Sequence, residues 1–210
     1  TLTRPPAWIE YIETSQPNAG HLALRQLEEM GILKHTITQN IDALHEKAGT
    51  RNLLEYHGNL FKLRCPNCSV RYQREDFDLA RLLQTGSLPP RCKSCGGAVK
   101  PDVVYFGEPI PPDVAEQSMF EALTSDLMLV CGTSATVYPF ANLPRLAGRA
   151  DQAAQGGVIF ADPGSPLATV IEVNAEPTPL TEEGVSSYFI QGRTGEILPL
   201  IVKAVRKKLS

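Results

Sequence analysis

Two Cys-x-x-Cys knuckles, Cys65-Pro-Asn-Cys68 and Cys92-Lys-Ser-Cys95, constrain this chain more than any other feature of it. Each knuckle lets two thiolates reach one ion from a single tight turn, and two knuckles complete a tetrahedron. Residues 69–91 separate them, a gap only slightly longer than the about 15–20 residues of a zinc ribbon. Four thiolates leave no position for water or substrate, so the expected Zn2+ is structural and clips a small module together. The fifth cysteine, Cys131, ends the apolar run DLMLVC at 126–131 and reads as a core residue. The sequence TLTRPPAWIE has neither the pattern of a signal peptide nor that of a transit peptide. The expected setting is therefore intracellular and cytoplasmic, where paired cysteines point to metal before disulfide.

On both sides of the cysteines the pattern is of another kind. Pro5 and Pro6 lead into a helix around Trp8-Ile9-Glu10-Tyr11-Ile12, as a first helical turn tolerates. A second helix starts near Asn18, carries Leu24, Leu27 and Met30 at helical spacing, and stops at Gly31. KHTIT at 34–38 reads as a buried parallel strand, followed by a short helix that Asp42 caps and Gly49 ends. Beyond the cysteines, Asp113 with Glu116 signals a helix start, and 126–131 and 170–173 (VIEV) read as buried strands. Residues 142–155 and 196–209 read as helices, with GGVIFADPGSPLA at 156–168 as a surface loop. Strands alternating with helices imply an α/β fold, a parallel sheet with helices on both faces. The expected division is residues 1–59 and 101–210 for that domain and 60–100 for the zinc-binding module. Within the module, Val70 and Tyr72 alternate, and Phe77, Ala80 and Leu83 share a helical face.

Composition narrows the partners. The net charge is −3, and the one cationic cluster is Arg206-Lys207-Lys208, so there is no basic stripe of the kind that neutralises a duplex. No stretch approaches the ~20 consecutive apolar residues of a membrane span. Neither nucleic acid nor membrane is an expected partner.

Three strand-to-loop junctions are rich in small polar residues: Gln39-Asn40-Ile41-Asp42, Gly132-Thr133-Ser134 and Asn174-Ala175-Glu176. Loops at the carboxyl ends of parallel strands converge on a ligand crevice, and hydroxyls with backbone N–H groups can hold a phosphate. Any one of the three is also ordinary turn chemistry; together they point to a nucleotide site. His57-Gly58 stands just before the cysteines, either a general base beside a backbone that leaves room for substrate or a structural histidine. His21, His35 and His45 read as structural or solvated. The segment KPDVVYFGE at 100–108 reads as extended: a core strand, or an edge that pairs with a peptide by strand addition.

TQNIDALHEKAG, the His-Gly at 57–58, the paired knuckles, KPDVVYFGE, GTSATVYP and IEVNAEPT stand in the order found in the sirtuins, the NAD-dependent protein lysine deacylases. The resemblance runs from about Pro17 to the end of the chain. It implies a Rossmann-like NAD-binding domain and a small zinc module, with NAD and an acyl-lysine protein or peptide meeting in the cleft between them. It implies that His57 is the general base toward the nicotinamide ribose hydroxyls, that Gln39 and Asn40 hold that ribose, and that Ile41 and Asp42 hold the carboxamide. Gly132, Thr133 and Ser134 would contact the phosphates and the adenosine side, Asn174, Ala175 and Glu176 the adenine ribose, and Thr194 the adenine. Val104 and Phe106 would line the acyl-lysine tunnel, and the Gly107-Glu108 backbone would pair with the peptide.

Two departures from the family pattern are visible. The Gly-Ala-Gly-x-Ser turn and the Gly-x-Pro-x-Phe-Arg loop do not appear, so the chain is expected to begin after the family's first βαβ unit. Relatives that remove succinyl or malonyl groups carry a Tyr-x-x-Arg pair ahead of the PNAGH stretch, where ungapped counting finds Pro5 and Trp8. An acetyl or other uncharged acyl group is the expected substrate. Two other readings fit the same residues: an ADP-ribosyltransferase or NAD-cleaving enzyme on this fold, and a non-catalytic zinc-bearing interaction module.

Overall fold

The computed structural model describes residues 7–148 and 168–209. These run α1 (Ala7–Thr14), α2 (Ala19–Glu29), β1 (Thr36–Thr38), α3 (Leu44–Lys47), β2 (Leu53–Glu55), β3 (Gly58–Arg64), β4 (Arg71–Gln73), α4 (Leu79–Gln84), β5 (Lys100–Val103), α5 (Pro112–Thr124), β6 (Leu127–Cys131), α6 (Asn142–Gly148), β7 (Thr169–Asn174), α7 (Pro179–Glu182), β8 (Tyr188–Gln191) and α8 (Thr194–Leu209). The helix expected at 142–155 is seen from Asn142 to Gly148. Its remainder, the stretch 156–167, Pro5 and Pro6 lie outside the described residues.

The parallel strands form two ladders. β1 pairs with β2, Ile37 opposite Leu54, and β7 lies between β6 and β8. Alternation along β6 explains the helices on both faces. Leu129 and Cys131 turn to α2 and α8, where Ala23, Leu27, Leu198 and Val202 are buried. Val130 turns the other way, to Ala147, Val170, Leu180 and Val185 under α6 and α7. Met128 packs into that cluster and also into the one formed by Ile37, Leu54, Tyr56, Val114, Ala122 and Leu143, so apolar contact joins the two ladders. Burial of a side chain such as Leu180 or Leu198 contributes about 2–3 kcal/mol.

Local chemistry sets the helix ends. Asn18 Oδ1 accepts from the N–H groups of Gly20 and His21, and His21 Nδ1 accepts from Asn18 N–H, closing a capping box on α2. Gly31 follows the helix at φ 71°, in the left-handed conformation that suits glycine. The cap expected at Asp42 falls instead on Ala43, at φ 60° and without a side-chain cap, while Asp42 Oδ1 accepts from Leu44 N–H at 2.9 Å. Among the described residues, no helix is long and apolar enough to cross a membrane.

The zinc module is built on an antiparallel sheet, ordered β4-β3-β5, with Leu63 opposite Tyr72. Its core is Leu63, Cys65, Cys92 and Val99, with Tyr72, Phe77 and Leu79 against it. The segment expected to be extended over 100–108 is a strand only as far as Val103. Beyond it the chain turns, because Glu108 N–H donates to Tyr105 O at 2.9 Å and Gly107 supplies φ 86°. Lys100 Nζ holds that turn, donating to the Glu108 carboxylate and to Val103 O at 2.7 Å each.

β5 also carries Asp102, whose side chain is 2% exposed. It accepts from Arg64 Nε at 2.7 Å and Arg71 Nε at 3.1 Å, and Arg71 Nη1 continues to Asp113 on α5 at 2.8 Å. Asp113 thus serves as an ion-pair partner of the module, and Arg71 holds its carboxyl below the usual range. Asp102→Asn keeps the shape and removes the charge that Arg64 is buried against, with an expected loss of about 3 kcal/mol of stability. Urea unfolding measures it, and a loss under about 1 kcal/mol would contradict this role.

Candidate active site and metal centre

The three polar junctions meet. Each leaves the carboxyl end of a parallel strand: Gln39 to Asp42 after β1, Gly132 to Ser134 after β6, Asn174 to Glu176 at the end of β7. Asn174 Nδ2 donates to Thr133 O at 2.9 Å, and Thr133 Oγ1 donates to Gln39 Oε1 at 3.3 Å. Gly132 N–H donates to Val173 O at 3.1 Å. A Cβ on Gly132 would stand 3.5 Å from Thr194 Cγ2, so the start of α8 joins the same place. Asn40 N–H donates to Thr38 Oγ1 at 3.1 Å, and Ile41 O accepts from Leu60 N–H at 2.9 Å, which ties this loop to β3.

His57 sits at the turn from β2 into β3, half-buried, with a hydrogen bond to the Gln39 backbone. Burial pushes its imidazole below the ordinary 6.5, and the Gln39 bond acts against that shift. Tyr56 and Phe140 pack edge-on with ring centroids 5.1 Å apart, and His57 lies 5.6 Å from Tyr56 and 6.3 Å from Phe140. This aromatic seat was missed in the sequence; the position of Phe140 just after GTSATVYP is the signal that could have found it. Gly58 is obligatory, because a Cβ there would lie 1.9 Å from Asp102 O. His57 O accepts from Val104 N–H at 2.9 Å, bringing Val104 beside the histidine.

Other expected site residues sit further out. Glu176, Asn40 and Gly107 are exposed, and Phe106 is fully exposed. The Ser134 hydroxyl is 2.8 Å from Thr136 Oγ1. Ala175 is fixed between Asn174 Oδ1, which accepts its N–H, and Gln191 Nε2, which donates to its carbonyl.

Of the remaining histidines, His35 Nδ1 lies 2.9 Å from Glu121 Oε2. The His21 and His45 rings pack at a tilt of 59° with centroids 4.7 Å apart, and His45 Nδ1 is buried without a partner. Burial first, then His21, push His45 down to about 4, against the attraction of Asp42. His45 is therefore neutral near pH 7.

The four cysteines of the knuckles come together, as their spacing implied, in a group that could hold a metal ion. All four Sγ atoms lie within 4.8 Å of one another, with Cys65–Cys95 and Cys68–Cys92 at 3.5 Å. A tetrahedral zinc–thiolate site at about 2.3 Å per bond needs sulfurs about 3.8 Å apart, so the group fits zinc. The two knuckles repeat one geometry. Cys65 O accepts from Ser69 N–H and Cys92 O from Gly96 N–H, both at 2.9 Å, and Ser69 and Gly96 both have positive φ. Tyr72 Oη lies 3.1 Å from Cys92 Sγ, a hydrogen bond that fixes this sulfur in the group. Cys131, expected in the core, is partly buried and packs against the cluster of α2 and α8, and this burial pushes its thiol up to about 12.

A parallel α/β domain with polar strand ends in mutual contact, a half-buried histidine and a closed four-cysteine module together define a nucleotide-binding α/β protein with a structural zinc. The Sir2 family profile matches residues 6–139. The NAD-dependent protein deacylase of Pyrococcus abyssi is 41% identical over 202 residues, 96% of this chain and 73% of the relative. A solved Sir2 homologue–NAD complex matches with a TM-score of 0.72 at 37% identity, covering 97% of this chain and 72% of that one. A Sir2 protein bound to a myristoylated histone peptide matches with a TM-score of 0.67 at 39% identity, covering 96% and 79%. The chain belongs to the Sir2 family.

Two measurements test the site's chemistry. Removing zinc with a strong chelator should expose residues 65–95 to limited proteolysis while α2 and α8 stay protected, because metal binding is folding energy for such a module; an unchanged cleavage pattern would contradict it. His45 regains its ordinary proton affinity on unfolding. The native state should therefore lose stability as pH falls from about 6.5 to about 4, by up to about 3 kcal/mol. His45→Gln should flatten that part of the stability–pH curve, and an unaltered curve would rule the assignment out.

Proposed function

We infer that the protein is an NAD-dependent protein lysine deacylase, an enzyme that moves the acyl group of acyl-lysine to ADP-ribose and releases nicotinamide. The observation that carries this reading is the continuous run of contacts from Asn174 through Thr133 and Gln39 to His57 in a chain of the Sir2 family. The Pyrococcus abyssi relative is an NAD-dependent protein deacylase, and the similar solved structures hold NAD and an acylated peptide.

NAD, when bound, supplies the ribose carbon and hydroxyl that receive the acyl group. This chain's part is to position, to exclude water and to move a proton. His57, neutral near pH 7, would accept a proton at its imidazole from a ribose hydroxyl. Gln39 and Asn40 would hold that ribose, and Ile41 and Asp42 the carboxamide. Gly132, Thr133 and Ser134 would face the phosphates, Asn174, Ala175 and Glu176 the adenine ribose, and Thr194 the adenine. Val104 and the exposed ring of Phe106 would flank the acyl-lysine. The N–H groups of Val104, Tyr105 and Glu108 already donate within the fold, which leaves the Phe106 and Gly107 amides and the Val104 carbonyl for pairing with a peptide.

On this reading residues 1–59 and 101–210 bind NAD, and residues 60–100 form the zinc module that fixes the peptide-side wall. The substrate group is acetyl or another uncharged acyl, in keeping with Trp8 at the place of the acid-recognising pair. The net charge of −3 supports a site that takes protein rather than nucleic acid or membrane, and cysteines paired as metal ligands support a cytoplasmic setting.

With NAD and an acetylated peptide, His57→Ala should lower nicotinamide release about 10²–10⁴-fold, and the acid limb of kcat/KM in the unaltered protein should lie below pH 6.5. Nicotinamide release without loss of the acetyl group would support ADP-ribosyl transfer instead. Undiminished turnover by His57→Ala would reject the assigned base.

A further inference from the structure

The loop at 132–141 carries a residue that does not sit easily. Ala135 is 3% exposed and lies at φ 52°, a conformation that residues with a Cβ rarely adopt. Its N–H donates to Thr133 Oγ1 at 3.1 Å. A guanidinium from α6 holds the rest of the turn. Arg145 Nη1 donates to Ala141 O at 2.6 Å and, at a longer 3.4 Å, to Ala135 O. Its Nε and Nη2 donate to the two carboxylate oxygens of Glu183 at 2.8 Å each, a fork that only arginine can make. The Tyr138 ring lies 5.7 Å from Arg145 Cζ. Glu183 ends α7, which follows the Asn174-Ala175-Glu176 junction. One side chain, 16% exposed, thus ties the loop after β6 to the segment after β7.

We propose that Arg145, held by Glu183, is a positioning residue that keeps the 132–141 loop in its NAD-binding shape. The proposal rests on the deacylase reading, which divides the phosphate and adenosine contacts between these two loops. Arg145 itself touches neither the reacting atoms nor any assigned contact residue; it acts through the carbonyls of Ala135 and Ala141. Without it the loop samples other shapes, and NAD binds only the competent fraction, so affinity falls in proportion to that fraction.

NAD titration by calorimetry and steady-state kinetics test this. Arg145→Met should weaken NAD about tenfold, with KM for NAD rising in step and kcat within about twofold. Glu183→Gln, which leaves the guanidinium on the loop, should weaken it about threefold, and the double variant should be no weaker than Arg145→Met alone. Unchanged NAD affinity in a folded Arg145→Met protein overturns the proposal, as does a fall in kcat with KM intact. If Arg145→Met fails to fold, Glu183→Gln decides: unchanged affinity there overturns it equally. Unaltered protein that takes up no NAD would defeat the deacylase reading, and the proposal with it, before any variant is compared.

Discussion

Burying a carboxylate is unfavourable unless charge and hydrogen bonds compensate, and Asp102 meets two arginines in the sheet of the zinc module. The consequences run in three directions. Arg64 stands directly before Cys65, so the first metal ligand is placed by the same interaction. Arg71 continues to Asp113, which fastens α5 of the parallel domain to the module. The Asp102 carbonyl lies where residue 58 would carry a Cβ, so β3 and β5 close together only with glycine beside His57. The first metal ligand and the contact to α5 are therefore tied to one buried side chain, and the glycine beside the histidine to the same residue's backbone carbonyl.

The cofactor side is organised by a different constraint. In a parallel ladder every strand delivers its loop to the same edge. β6 and β7 in one ladder and β1 in the other, joined by the apolar contacts of Met128, bring Gln39, Thr133 and Asn174 into contact across wide gaps in sequence. Those residues bond to one another, which fixes the edge. His57 reaches that edge from the module side, through Gln39. Its seat against Tyr56 and Phe140 keeps the imidazole partly out of water and neutral near pH 7.

What could be read in the sequence follows from which interactions are local. The knuckles, the Asn18 cap, the Gly31 stop and the apolar β6 are set by residues near in sequence, and the structure has them. The Sir2 relationship was legible because its motifs lie at strand ends in fixed order. β2 and β8, at three and four residues, are too short for a period to show. β3 hides its alternation behind a register shift between Asn59 and Leu63. The turn after Val103 depends on Lys100 reaching forward to Glu108, and the aromatic seat of His57 on Phe140 far along the chain. His45, read as structural or solvated, is half-buried and structural, with an unpartnered buried Nδ1, a matter of packing against His21 that spacing does not reveal.

Hydrogen exchange with and without ADP-ribose tests most directly the claim that these strand ends form the NAD site. Protection is expected to concentrate at 39–42, 132–134 and 174–176, with little change along α2 or in the body of α8. Protection confined to the groove between α2 and α8, lined by Leu22, Gln26, Val202 and Arg206, would contradict it, as would no protection at saturating ligand.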